Sequence, residues 1–140
     1  MSTRIRNETR ARARVLQALY AWDVSGEASL PRVADRLWDD LRVPPQQREF
    51  AEPLVRTVAE RRRDLDAQLA EVTTNWRLER LGVVERSLLR LGAAELARGE
   101  TPPRVVIQEM VRLAERYATV QSAKFVNGVL DALARRTGRM

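Results

Sequence analysis

Gly82-Val83-Val84-Glu85-Arg86-Ser87-Leu88-Leu89-Arg90-Leu91-Gly92-Ala93-Ala94-Glu95-Leu96-Ala97-Arg98, residues 82–98, is the stretch on which the fold turns. Wound at helical pitch, it aligns Val84, Leu88, Leu91 and Ala94 in one row and Leu89, Ala93 and Leu96 in another. A helix wet on one side carries a single apolar stripe. Two rows predict a central helix, covered on more than one face and touching two lobes. Gly99 closes it, and Pro102-Pro103 starts the next helix.

Helical spacing continues on both sides. Downstream, Val106, Met110, Leu113, Ala114 and Tyr117 predict the buried side of one helix. A last helix from about Ser122 to Arg136 buries Val126, Val129, Leu130 and Leu133 and ends at Gly138. Upstream, a first helix from about Thr3 to Val24 buries Ala11, Val15, Ala18, Leu19 and Trp22, and Ser25-Gly26 ends it. Ser29 caps a second helix, with Pro31 in its first turn and Val33, Leu37, Trp38 and Leu41 facing inward. Pro44-Pro45 breaks the chain. A third helix runs through Phe50, Leu54, Val58 and Arg61, with Pro53 in its early part. After a bend near Arg63-Asp64 come Leu65, Leu69 and Val72, and Trp76 to Leu81 is a connector. No segment alternates with period two for long enough to suggest a sheet. The expectation is an all-α fold: a compact bundle of six to seven helices in two small lobes.

Composition narrows the chemistry. The chain has 140 residues, the length of one domain, and we take 1–140 as a single helical domain. It contains no cysteine and no histidine, which removes disulfides, thiol nucleophiles, Ser/His/Asp triads and the usual zinc ligands. The expectation is no metal, no cofactor and no catalytic residue. Asp39-Asp40 and the pair Asp64 and Asp66 are too close along a helix to converge on one point. Nothing reads as a leader or a membrane span, so the chain reads as soluble and cytoplasmic.

The net charge is +6, and it is unevenly placed. Residues 1–22 hold Arg4, Arg6, Arg10, Arg12 and Arg14 against Glu8 alone. Guanidinium forks match phosphate oxygens and stack on bases, so the cluster points to nucleic acid. Arg6, Arg10, Arg14 and Gln17 share one face of the first helix, and Arg12, Leu16 and Tyr20 form another row. Near the other end stands Lys124-Phe125-Val126-Asn127-Gly128-Val129-Leu130-Asp131, which holds the only lysine of the chain. With Val126, Val129 and Leu130 on the core stripe, Lys124, Asn127 and Asp131 face water, and Phe125 lies about a quarter-turn off the stripe. A cation, a ring and a carboxamide together can grip an unpaired base and its phosphate. Gly128 inside a helix costs about 1 kcal/mol relative to alanine, and close approach of a neighbouring helix is the reading we give it. Arg61-Arg62-Arg63, flanked by Glu60 and Asp64, reads as a solvated face.

Four of these segments, in order, resemble the NusB transcription antitermination family. They are Ala11-Arg12 with Val15-Leu16-Gln17-Ala18-Leu19-Tyr20, then Val84 to Leu91 with Glu95-Leu96, then Ile107, Glu109, Val111, Leu113 and Ala114, and finally Lys124 to Asp131. The resemblance implies a non-enzymatic RNA-binding protein. Its members pair with NusE, a ribosomal protein of the small subunit. The pair binds the single-stranded boxA element of nascent ribosomal RNA. With other Nus factors it makes RNA polymerase resist termination. It implies RNA contacts at Arg10, Arg12, Tyr20, Lys124, Phe125 and Asn127, to which the basic face adds Arg6 and Arg14. Glu85 takes the place of the family's NusE-facing glutamate. Some members self-associate, and the sequence leaves homodimer or monomer open.

The chain departs from the family pattern at Glu8-Thr9, where many relatives continue an arginine run, and at Gln108 and Gln121. The segment from Ser25 to Gln47 matches no motif. Two other readings stand beside the first. One is a helical protein-interaction module without specific RNA binding. The other is a detached NusB-like domain of a ribosomal RNA cytosine methyltransferase, which would need a catalytic cysteine and an α/β domain.

Overall fold

The hydroxyl of Ser2 accepts the backbone N–H of Ile5 and starts the first helix, α1 (Thr3–Ser25), which ends where Gly26 turns left-handed at φ 72°. In the computed structural model, residues 2–73 and 75–140 are described. They form six α-helices and one 3-10 turn and contain no strand. The chain divides into two units, Met1–Glu60 and Arg61–Met140.

The first unit holds α1, α2 (Leu30–Asp40) and the opening half of α3 (Pro45–Val72). The predicted seam of α1 is buried throughout, from Ala11 to Trp22, and so is Leu16. Ser29 caps α2 by accepting the N–H of Arg32. Leu30, Val33, Ala34 and Trp38 are its buried side. Leu41, expected inward, is instead 39% exposed, because the helix has already ended there. The turn that follows is a Schellman motif. The N–H of Val43 reaches the carbonyl of Trp38 and that of Arg42 the carbonyl of Asp39, with Arg42 left-handed at φ 52°. Arg48 locks this turn by donating to the carbonyls of Val43 (2.8 Å) and Trp38 (3.0 Å).

The Pro44-Pro45 break is also a helix start, so Pro53 falls nine residues into α3 rather than in its first turns. Lacking an N–H, it leaves the Glu49 carbonyl without its helical donor, the cost of a proline in a helix interior. The expected bend comes slightly earlier, at Arg61, whose φ −115° and ψ 17° are not helical.

The second unit begins at that bend. It holds the end of α3, the 3-10 turn Leu78–Arg80, α4 (Val83–Arg98), α5 (Pro103–Tyr117) and α6 (Val120–Arg136). Every residue of α4 from Ser87 to Leu96 is buried, as the double apolar row requires, and α5 and α6 both pack against it. α4 and α6 approach closely at Gly92, where a Cβ would stand 2.6 Å from a methyl of Leu130 on α6. Gly128, expected to serve that purpose, has no atom within 4 Å of where its Cβ would be. The helix contact belongs to Gly92, because Gly128 faces outward. Tyr117, expected in the core, is 43% exposed at the end of α5, whereas Ile107 near its start is buried. Arg86 fastens the connector by donating to the Leu81 carbonyl at 2.8 Å. Asp66 receives a two-pronged ion pair from Arg90 at 3.0 and 3.1 Å.

Candidate nucleic-acid interface

In the first unit the basic cluster is carried by one continuous helix. At about 100° per residue, Arg6, Arg10, Arg14, Gln17 and Tyr20 occupy one side of α1, opposite the Val15–Leu19 seam. Arg4, Arg6 and Arg10 are exposed, and Tyr20 is 45% exposed. Arg14 is half-buried and donates to the Gln17 side-chain oxygen at 3.0 Å. Arg12 departs from the expectation. It is 2% exposed, with its guanidinium over the ring of Phe50 on α3. Its position next to Ala11 and Val15 turns it inward, where its guanidinium lies over an aromatic face instead of in solvent. Tyr20, placed in the same row, escapes burial because it lies two turns further along, beyond Leu16.

In the second unit the candidate residues lie on the outer side of α6. Thr119 caps this helix by accepting the Ser122 N–H at 2.9 Å. Lys124, Asn127 and Gly128 are exposed, while Val126, Val129, Leu130 and Leu133 are in the core. Phe125 is half-buried, on the edge of the stripe as its spacing implies. Its ring meets Trp76 edge-on, with centroids 6.4 Å apart and planes at 80°. Trp76 itself is 60% exposed. Trp76 lies in the segment expected to be only a connector. The available signal was a large aromatic in a polar stretch with no apolar periodicity to absorb it. On the opposite flank of Lys124 and Asn127 runs a groove of about 520 Å³ between α5 and α6, to which Gln108 and Arg112 contribute from α5.

Glu85 sits in the first turn of α4, where the helix dipole favours a carboxylate. It is half-buried and accepts the hydroxyl of Ser122, which in turn accepts that of Thr119. One carboxylate oxygen therefore ties the start of α4 to the start of α6.

The NusB family pattern matches residues 9–135, which include Arg10, Arg14 and Tyr20 of the α1 surface and all of the α6 surface. The chain belongs to the NusB family. It is 46% identical over 129 residues to the transcription antitermination protein NusB of Anaeromyxobacter dehalogenans, covering 90% of this chain and 89% of that protein. Its fold matches a T. maritima NusB at a TM-score of 0.85 and 32% identity, covering 91% and 90% of the two chains. It also matches a crystal structure of the antitermination factors NusB and NusE in complex with dsRNA, at a TM-score of 0.82 and 31% identity over 96% and 99%. Among the described residues, no helix is long and apolar enough to cross a membrane. No group of three or more acidic residues among them is arranged to hold a metal ion.

Proposed function

We propose that this chain is a transcription antitermination factor that acts as one RNA-binding domain on the single-stranded boxA element of nascent ribosomal RNA, together with NusE. The observation that carries this reading is the exposed Arg6–Arg10–Tyr20 face of α1, whose Arg10 and Tyr20 lie within the span matched by a family whose relatives are named antitermination proteins. A related NusB crystallised with NusE and dsRNA supports NusE and an RNA as the partners. Arg4, Arg6 and Arg10 hold phosphates, and Arg14 reaches them by releasing Gln17. Tyr20 offers a ring and a hydroxyl. On α6, Phe125 stacks on a base while Lys124 and Asn127 hold its phosphate and edge. Arg12, turned inward, is left to packing. Glu85 and its surroundings at the start of α4 face NusE. The protein works in the cytoplasm, without catalysis of its own, as a component of an RNA polymerase complex with other Nus factors.

The test is binding of boxA-containing single-stranded RNA, with and without NusE, over a range of salt. Affinity falls steeply with salt, and Arg10→Glu lowers both the affinity and the salt slope. An unchanged slope in that variant overturns the role of α1. Absence of sequence preference with and without NusE favours a protein-only interaction module instead.

A further inference from the structure

Gly128 is the anomaly of α6. It is a glycine in the middle of a helix, a costly choice there, yet its φ is not left-handed and no neighbour needs the space. The room it leaves is on the outside. By helical spacing it lies one turn beyond Lys124 (i+4) and beside Phe125 (i+3), on the ridge of α6. One side of that ridge carries the Phe125–Trp76 ring pair. The other opens into the groove where Gln108, Val111 and Arg112 of α5 face Val120, Lys124 and Asn127 of α6. Rings on one bank, cations and carboxamides on the other, and a bare backbone ridge between them form a continuous track. All of these residues belong to the second unit.

We infer that an unpaired RNA strand crosses α6 over Gly128, passing from a stack on Trp76 and Phe125 into the α5–α6 groove, where Arg112 holds a phosphate. This rests on the RNA-binding reading above and adds to it a path, a saddle and two contacts, Trp76 and Arg112. The chemistry favours RNA over a protein segment for two reasons. Exposed aromatic faces take any base, and the groove sets two cations, Arg112 and Lys124, against one carboxylate, Glu115. The nearby Asp131 is held by Arg135 at 2.9 Å, which offsets its repulsion of phosphate. Val111 and Val120, the latter 62% exposed, give a base an apolar floor.

The experiment uses the full chain, labelled boxA-containing single-stranded RNA and NusE, with thermal unfolding run on every variant. Gly128→Leu places a branched side chain on the saddle, in open space and in a better helix former. It therefore keeps or raises the melting temperature while weakening RNA binding about tenfold, the scale of one lost base stack. Arg112→Gln lowers the salt slope of RNA binding by about 0.7, the value for one phosphate of a single strand. Trp76 is the only highly exposed tryptophan, since Trp22 and Trp38 are 8% and 1% exposed. Its emission is quenched on RNA binding, and Trp76→Phe removes the signal while retaining most of the affinity. If wild type binds RNA and both Gly128→Leu and Arg112→Gln bind it unchanged, the path is overturned and the function stands. If Gly128→Leu loses NusE but not RNA, the ridge is a protein contact and the inference fails. If wild type binds no RNA at all, the inference and the function fall together.

Discussion

The guanidinium carbon of Arg12 lies 4.7 Å from the centre of the Phe50 ring, and only 2% of Arg12 is exposed. A cation on an aromatic face away from water contributes about 2 kcal/mol, and the aliphatic stem adds packing. Arg12→Ala is therefore expected to destabilise the fold by about 2–3 kcal/mol in urea unfolding, with Arg12→Lys falling between. Its salt slope for RNA binding stays at the wild-type value, in contrast to Arg10→Glu. A reduced slope in a well-folded Arg12→Lys would return Arg12 to the RNA face.

Gly92 and Gly128 are both helical glycines, and alanine at the two positions is expected to act in opposite directions. At Gly128 the new methyl meets nothing, so the gain in helix propensity stabilises by up to about 1 kcal/mol. At Gly92 it meets two methyl groups of the fully buried Leu130 at 2.6 and 2.9 Å. Overpacking there costs about 1–3 kcal/mol, enough to outweigh the propensity gain. Thermal unfolding of the two variants in parallel tests the pair. Equal shifts of one sign would refute the α4–α6 contact.

Asp66 carries the carboxylate that Arg90 needs. Arg90 has a side-chain exposure of 7% and Asp66 of 25%, and Arg62 approaches the same carboxylate at 3.7 Å. Removing one partner of such a pair leaves a largely buried charge, and Asp66→Ala is expected to cost about 3 kcal/mol. Replacing Arg90 as well, with methionine, recovers part of that loss, because no buried guanidinium is then left lacking the Asp66 carboxylate. A double variant no more stable than Asp66→Ala would show that the pair is not the source of the cost.

Arg42 occupies the left-handed position of a helix end where glycine is at home. Gly138 fills the equivalent position after α6, at φ 73°, with the N–H of Arg139 reaching the Ala134 carbonyl. Arg42→Gly is expected to raise stability by about 1 kcal/mol, since the Cβ strain of the left-handed residue is relieved. Chemical denaturation measures it, and a destabilised Arg42→Gly would mean that the arginine side chain holds the turn.

Local periodicity determined most of this architecture in advance. The two rows of α4, the α1 seam and the α6 stripe were each written in spacing, because burial of an apolar face is a property of one helix at a time. The Ser29 cap and the Gly26, Gly99 and Gly138 stops were equally local. The exposed residues Arg6, Arg10, Lys124 and Asn127, which we propose face RNA, were legible as charge and polarity off those stripes. What only the tertiary structure decided is how neighbours share space at the edges of a stripe. Arg12 goes inward because Phe50, 38 positions away, offers a ring. Gly92 rather than Gly128 takes the helix contact because Leu130 stands over it. Trp76 becomes the neighbour of Phe125 although nothing in its own segment asks for one. Such pairings depend on the distance between side chains remote in sequence, and a single helix's spacing carries no term for that distance.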